Sequence, residues 1–389
     1  MKEFNHFQPT EIMFGVGRVK EIGQVARKYG TNCLLVTVPE FDAVATLYRR
    51  VKQYLNDAGI EVTHFDGVIP NPTTDVVTAG AVLAKKCGAD VVIGLGGGSS
   101  MDTAKAIAVE ATHEGTAWDY LFYKKEPTSK TLPIIAVSTT SGTGSQTTPC
   151  SVITKSDEHD KSAIWHHNIF PKVAIVDPEL MLTLPKDITA ITGFDSFSHN
   201  FEAYISNGTN PYVEILALAA IKLIVRYLPI AVRDGSNIEA REAMAWADTL
   251  GGITISSAGV TLPHGLGMQV GGHCPQVSHG QALAVIYPEF TRYTYRSAQE
   301  KFAAVGRIFN PGLEALSDEK AAELCCDEID AFLKELGIWS NFNQLGVSEE
   351  EIRSIADDGQ VLGDYKNNPR IATIEEMYQM LKICYDREI

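Results

Sequence analysis

Asp90-Val-Val-Ile-Gly-Leu-Gly-Gly-Gly-Ser-Ser-Met-Asp-Thr-Ala-Lys105 is the stretch on which the reading of this chain turns. A short β-branched run, 90–93, enters a turn containing Gly94, Gly96, Gly97, Gly98, Ser99 and Ser100, and an alanine-rich helical stretch follows from Met101 to Ala111. A strand that passes through glycines straight into a helix start aims unpaired backbone N–H groups at one point, an arrangement that binds anions. Glycine suits such a turn because the backbone approaches the anion closely and takes positive φ. Counted from Gly94, the last glycine position of a G-x-G-x-x-G pattern is Ser99, so a plain tight turn stays open as an alternative at this point.

A second turn of the same kind narrows the choice. Residues 131–138 (Thr-Leu-Pro-Ile-Ile-Ala-Val-Ser) read as another buried strand, which runs into Thr139-Thr140-Ser141-Gly142-Thr143-Gly144-Ser145. Two such turns at consecutive strand ends suit an elongated, diphosphate-containing ligand across a sheet edge. Strand-like runs at 32–38, 61–65, 90–94, 132–138 and 173–176 alternate with helical patterns at 43–58, 74–87 and 101–110. This alternation predicts a mostly parallel sheet covered on both faces. Residues 6–14 are expected as an edge strand and 151–154 as a weaker extra strand. Beyond Pro185 the strand signals vanish, and helical periodicity dominates at 187–191, 194–205, 211–227, 238–258, 298–305, 317–336, 348–356 and 374–384, with 357–368 reading as a polar surface loop. A chain of 389 residues exceeds one core of ordinary size. The expected division is an α/β dinucleotide-binding domain at 1–185 and an all-helical domain at 186–389.

The helical half carries its own chemistry. Asp195 and His199 stand four apart in Gly193-Phe-Asp-Ser-Phe-Ser-His-Asn-Phe-Glu-Ala-Tyr204, so carboxylate and imidazole share one helical face. Taken alone, an Asp-x3-His pair reads as an ordinary surface pair. His264 and His279 follow, each before a glycine, and one oxygen with three imidazole nitrogens suits Fe(II) or Zn(II) with a position left for water or substrate.

Gly96-Gly-Gly-Ser-Ser-Met-Asp-Thr-Ala-Lys105, Thr139-Thr-Ser-Gly-Thr-Gly-Ser145, Asp195-x3-His199 and the two later histidines resemble the iron-containing alcohol dehydrogenase family. Lesser matches are Phe14-Gly-Val-Gly17, Pro70-Asn-Pro-Thr73 and Val173-Ala-Ile-Val-Asp-Pro-Glu179, and the likeness runs in order from about residue 10 to about residue 380. The resemblance implies the dehydroquinate synthase-like, iron alcohol dehydrogenase fold, with an N-terminal dinucleotide domain and a helical, metal-binding C-terminal domain. It puts Asp195, His199, His264 and His279 on the metal positions, Gly97, Gly98, Ser99 and Ser100 on the pyrophosphate turn, and Thr139, Thr140 and Thr143 on the pyrophosphate and nicotinamide side. Lys161 falls near the cofactor ribose and Asn71 near the adenosine end. The chain also departs from the family. The spacing from His264 to His279 is one residue longer than is usual, Met268 stands where relatives carry another histidine, and Gln146 replaces a glutamate. His273 and the cysteines Cys150 and Cys274 read as structural rather than ligating.

The composition describes an ordinary soluble globular protein, 45% hydrophobic and 21% charged. With a net charge of −15 and no basic block, nucleic acid and anionic membranes are poor partners. The N-terminus lacks a signal-peptide core, and the apolar stretch 215–232 contains Lys222, Arg226 and Pro229, which predicts a buried helix rather than a membrane span. Seven cysteines without paired spacing argue for reduced thiols in a cytoplasm. The expected activity is hydride transfer between NAD or NADP and a short primary alcohol or aldehyde, diols and small anionic aldehydes included, in a homodimer or higher homo-oligomer. Two rivals are a glycerol- or glycerol-phosphate-type dehydrogenase of the same superfamily and a metal-dependent hydrolase. The first lacks clustered Lys and Arg beside the metal positions, and the second leaves both glycine turns unexplained. In the first βα unit, Val36-Thr-Val-Pro-Glu40 has Val38 where the family often carries an aspartate, which would not exclude a 2′-phosphate, while Glu40 is in reach of the same place; the reading leans to NADH and leaves NADP open.

Overall fold

Every residue of β4 (Val91–Gly96) is buried, and its side chains alternate between two apolar layers, Val91, Ile93 and Leu95 in one and Val92 in the other. A strand covered on both faces needs this unbroken apolar run, and such strands belong to parallel sheets. The structure is a computed structural model that describes residues 3–155 and 160–389. Two compact units make up the chain: Gln8–Leu184, and Pro185–Ile389 together with the tail that ends at Phe7. The tail's place with the helices has no signal in the sequence; His6 Nδ1 lies 3.1 Å from Ser257 Oγ and its ring lies tilted against Tyr212, with centroids 4.2 Å apart.

The first unit runs β1 (Glu11–Phe14), α1 (Ile22–Arg27), β2 (Asn32–Val36), α2 (Asp42–Asp57), β3 (Glu61–Phe65), α3 (Thr74–Cys87), β4, α4 (Gly98–Glu110), β5 (Ile134–Ser138), β6 (Cys150–Lys155), β7 (Asp160–Trp165) and β8 (Val173–Val176). Six strands form one sheet in the order β1-β8-β5-β4-β2-β3, and every pairing in it is parallel. The expected edge strand is present as β1. From β2 the chain steps outward to β3 and returns past β2 to β4, so the winding reverses between β2 and β4. Ligands of open α/β sheets bind at the carboxyl ends of strands beside such a reversal. The β4–β5 register pairs Gly96 with Ser138, which brings the two glycine turns out of the sheet side by side. β6 and β7 form a separate antiparallel hairpin. Its second strand, with Asp160 and Lys161 at its start, has too little apolar alternation to be read from sequence.

The second unit is helical: α5 (Lys186–Ile205), α6 (Pro211–Arg233), α7 (Ile238–Ala258), α8 (Leu262–His273), α9 (His279–Thr294), α10 (Gln299–Phe309), α11 (Asp318–Glu335), α12 (Glu349–Asp357) and α13 (Ile374–Asp386). Cap residues set several starts. Asn210 Oδ1 accepts from Tyr212 N and Val213 N ahead of α6, and Asn237 Oδ1 accepts from Ala240 N ahead of α7. Four expectations need correction. The stretches 187–191 and 194–205 are one helix, α5, because Gly193 tucks against Leu228 of α6, where a side chain would collide. α8 and α9 carry His264 and His279, although four glycines of α8 hide it from propensity. The segment 357–368 is docked rather than superficial: Asn368 is fully buried and its Nδ2 donates to Thr294 Oγ1. Finally, α6 is buried on one face only. Ile215 is 70% exposed, and among the described residues this is the one helix long and apolar enough to cross a membrane by length and composition.

Candidate functional site

In the helical unit, α5 supplies Asp195 and His199 one turn apart, α8 supplies His264 and the first turn of α9 supplies His279. Gln281 Oε1 fixes that first turn by accepting from Ser278 N and Oγ. The three imidazole Nε2 atoms converge on a single carboxylate oxygen. Asp195 Oδ1 lies 3.8 Å from His199, 3.5 Å from His264 and 3.8 Å from His279. Ligand atoms of Asp195, His199 and His264 all fall within 4.8 Å of one another. His279 meets the same oxygen from outside that triangle, and its side chain is the most exposed of the four at 23%.

Those separations exceed hydrogen-bond length yet leave room for an ion between the donor atoms. Asp195 Oδ1 and His264 Nε2 are both buried without a hydrogen-bond partner, a cost a folded protein avoids unless something else satisfies them. A divalent cation satisfies both, so the residues present fit a metal ion. Burial by itself would push the Asp195 carboxyl up, but His199 and the two other imidazoles outweigh it and hold it at about 2. Burial would lower His264, yet the Glu202 and Asp195 carboxylates raise it to about 10. The site is therefore electrostatically prepared for positive charge.

Glu202 escaped the sequence reading. It is fully buried on α5, where its Oε1 takes His264 Nδ1 at 2.7 Å and its Oε2 accepts from Thr261 N at 2.8 Å. A signal existed, since Asp195, His199 and Glu202 recur on one helical face within a segment, 193–204, that carries no other Asp, Glu, His, Lys or Arg. Asp364, from the segment expected at the surface, packs against Gly265 of α8, and burial raises its carboxyl to about 6. His273 stands apart from the cluster, with its Nε2 2.8 Å from Asp358 Oδ2. Met268 is buried, and burial pushes the Cys274 thiol up to about 12. All seven cysteines are free.

In the α/β unit the two turns touch. Thr139 N donates to Gly96 O, and a Cβ placed on Gly98 would fall 2.6 Å from Thr143 Cγ2. Gly97, Gly98, Ser99 and Ser100 form the start of α4, and no side chain caps it; its first N–H groups are thus left for an anion. Thr140 lies against Gly97, whose added Cβ would stand 3.2 Å from Thr140 Cγ2. Lys161 and Asn71, ninety positions apart, are joined by a 2.8 Å hydrogen bond from Nζ to Oδ1, with Asn71 at φ 52°. Asp102 and Lys105 lock the arrangement. The buried Lys105 ammonium donates to Ser145 O, Ser145 Oγ, Thr148 Oγ1 and Cys150 O, while Asp102 accepts from Ser145 Oγ and Val152 N.

A dinucleotide-type sheet in one unit and a carboxylate–histidine cage in the other define a metal-dependent oxidoreductase. The chain belongs to the iron-containing alcohol dehydrogenase family, whose N-terminal profile matches residues 9–178 and whose C-terminal profile matches residues 189–385. It is 35% identical over 378 residues to the NAD-dependent methanol dehydrogenase of Bacillus methanolicus, spanning 97% of this chain and 99% of that protein. It is 35% identical over 384 residues to the 1,3-propanediol dehydrogenase of Klebsiella pneumoniae, spanning 98% and 99%. An archaeal halo-thermophilic alcohol dehydrogenase from a Red Sea brine pool superposes with a TM-score of 0.95 at 35% identity, covering 99% of this chain and 100% of that one. The protein is accordingly an enzyme, a metal-dependent alcohol dehydrogenase or aldehyde reductase linked to a nicotinamide cofactor.

Proposed function

We propose that Asp195, His199, His264 and His279 hold one divalent ion, Fe(II) by family with Zn(II) able to replace it, and that the protein interconverts a short primary alcohol and its aldehyde. The observation that carries this reading is the convergence of three imidazole nitrogens on one buried, unpartnered carboxylate oxygen. Bound there, the ion supplies Lewis acidity that stabilises alkoxide character on the substrate oxygen. Asp195 contributes the negative charge of the cage, and His279, the most exposed member, marks its open side. Gly97, Gly98, Ser99 and Ser100 present the uncapped start of α4 to the cofactor diphosphate. Thr139, Thr140 and Thr143 line the adjoining turn, and the Lys161–Asn71 pair serves the ribose and adenosine end. The similar enzymes named for methanol and 1,3-propanediol support a small alcohol or diol as substrate.

The cofactor we favour is NADH, because Glu40 follows β2 and is exposed at the carboxyl side of the winding reversal. The domain assignment is 1–185 for the dinucleotide and 186–389 for the metal. The protein is proposed to be cytoplasmic, in keeping with its seven free thiols, and to form a homodimer or larger homo-oligomer with nucleic acid and membranes excluded as partners. Dialysis against a chelator tests the central claim. Aldehyde-dependent NADH oxidation should fall as the ion leaves, and Fe(II) and Zn(II) should restore it to different extents. Full activity in protein shown by elemental analysis to be free of metal removes the ion from the reaction.

A further inference from the structure

Glu202 is a buried carboxylate with every lone-pair direction in use. Oε1 takes His264 Nδ1 at 2.7 Å and the Tyr287 hydroxyl at 3.2 Å, and Oε2 takes the Thr261 amide at 2.8 Å and the Thr261 hydroxyl at 3.1 Å. The Thr261 amide can only donate, so Oε2 is an obligatory acceptor. The Tyr287 hydroxyl, whose single proton is shared between Oε1 and Ser198 O at 3.3 Å, adds a second donor on that side, so Glu202 faces His264 as an acceptor. An imidazole carries one proton in its neutral form, and a proton on Nδ1 leaves the lone pair on Nε2. That Nε2 stands 3.5 Å from Asp195 Oδ1.

We propose that Glu202 is the positioning residue of the metal centre: it accepts the Nδ1–H of His264 and so fixes the tautomer and ring angle that present Nε2 to the ion. Glu202 lies two helical turns beyond Asp195, so α5 supplies two ligands and, from the same face, the support for a third that arrives on α8. Thr261 ends the link between α7 and α8 and holds the carboxylate from the other side, which ties the start of α8 to α5 through one side chain. Partners of this kind, one step behind the ligands, orient metal-bound histidines in other proteins and are worth about 10–100-fold in metal affinity. The proposal rests on the metal-centre reading above.

Glu202→Gln is the sharpest probe. An amide has one acceptor oxygen, and if that oxygen stays on the Thr261 amide, the NH2 group faces His264 Nδ1 and forces the proton to Nε2, where it blocks the ion. Zinc affinity of metal-stripped protein, measured by competition with a chromophoric chelator, should weaken about 10–100-fold. In a His264→Ala background the same change should weaken it no further. A Glu202→Gln protein that binds zinc as the parent does, or that loses as much affinity again without His264, overturns the proposal. If Glu202→Gln fails to fold, the nitrogen-15 histidine spectrum of the zinc-loaded parent decides. His264, identified by its loss in His264→Ala, should be protonated on Nδ1 and metal-bound through Nε2, and the opposite tautomer refutes the assignment. A parent protein that takes up no zinc at all overturns the metal centre itself, with Glu202's role falling as its consequence.

Discussion

Among the described residues, the buried ionic cluster of the α/β unit and that of the helical unit are built on opposite plans. Around Asp102 and Lys105 every charge is answered: the ammonium has four hydrogen-bond acceptors besides its ion pair, and the carboxylate takes a hydroxyl and a backbone N–H. Around Asp195 an acceptor oxygen faces three imidazoles at 3.5–3.8 Å, and Asp195 Oδ1 and His264 Nε2 are left without partners. Burying polar groups is tolerable only when they are satisfied. The first cluster meets that condition by itself and acts as a pin between turns; the second meets it only with a cation present. Completeness of the hydrogen bonding therefore separates a structural cluster from a ligand site, although composition alone makes the two look alike.

Breaking each cluster should give opposite phenotypes. His264→Ala removes a ligand and should lower kcat/KM on the order of a thousand-fold, since Lewis-acid stabilisation is worth several kcal/mol. The circular dichroism spectrum should stay that of the parent. Lys105→Met strands the Asp102 carboxylate in the interior and should destabilise the protein by about 3–5 kcal/mol in urea titrations. Zinc stoichiometry of the folded protein should be unchanged. If His264→Ala unfolds the chain, or Lys105→Met leaves its stability intact, the contrast between a ligand cage and a structural pin is wrong.

The same contrast explains what the sequence could disclose. β4, its glycine turn and α4 are legible because each depends on neighbours in the chain: a two-sided apolar run, then glycines, then alanines. Asp195 and His199 are legible for the same reason, as an i, i+4 pair on one face. α8 is not, because Gly265, Gly267, Gly271 and Gly272 deny it helical propensity, and its burial against α9, α12 and the 363–367 turn decides the matter. Glu202 is hidden by base rates, since a helical glutamate is nearly always a solvated charge. Its spacing from Asp195 and His199 puts it on their face, and the tertiary approach of His264, Thr261 and Tyr287 gives that placement its meaning. Lys105 stays hidden for the same reason: its four acceptors lie at least forty positions away in sequence.

A smaller perturbation sharpens the comparison by attacking contact instead of charge. The cradle turns are held by close approach, and Gly98→Ala would drive a methyl group to 2.6 Å from Thr143 Cγ2. Thr143 is β-branched and cannot swing aside freely, so the second turn must shift. Overpacking of this sort costs ~1–3 kcal/mol, and NADH affinity measured by fluorescence quenching should weaken about tenfold at 1.4 kcal/mol. Zinc affinity should not change, because no member of the cage lies in this unit. Unaltered NADH binding in Gly98→Ala would separate the 96–100 turn from the cofactor.

The mildest effect concerns Glu40, where charge acts through water. Thr37 Oγ1 is hydrogen-bonded to His64 Nε2 at 2.8 Å and donates to Val38 O at 2.7 Å, and the Tyr48 hydroxyl also donates to Val38 O. The backbone that leads to Glu40 is therefore anchored at the carboxyl end of β2, while Glu40 itself is exposed. An exposed carboxylate near the adenosine ribose repels a 2′-phosphate, but solvent and salt screen the repulsion. Glu40→Gln should raise kcat/KM for NADPH a few-fold at low ionic strength and leave NADH nearly unchanged. Because the mechanism is Coulombic, the gain should shrink as salt is raised toward 1 M, where the Debye length falls to about 3 Å. A gain that persists undiminished in high salt would assign the discrimination to shape or hydrogen bonding at 37–40, and no gain at all would place the ribose elsewhere along the sheet edge.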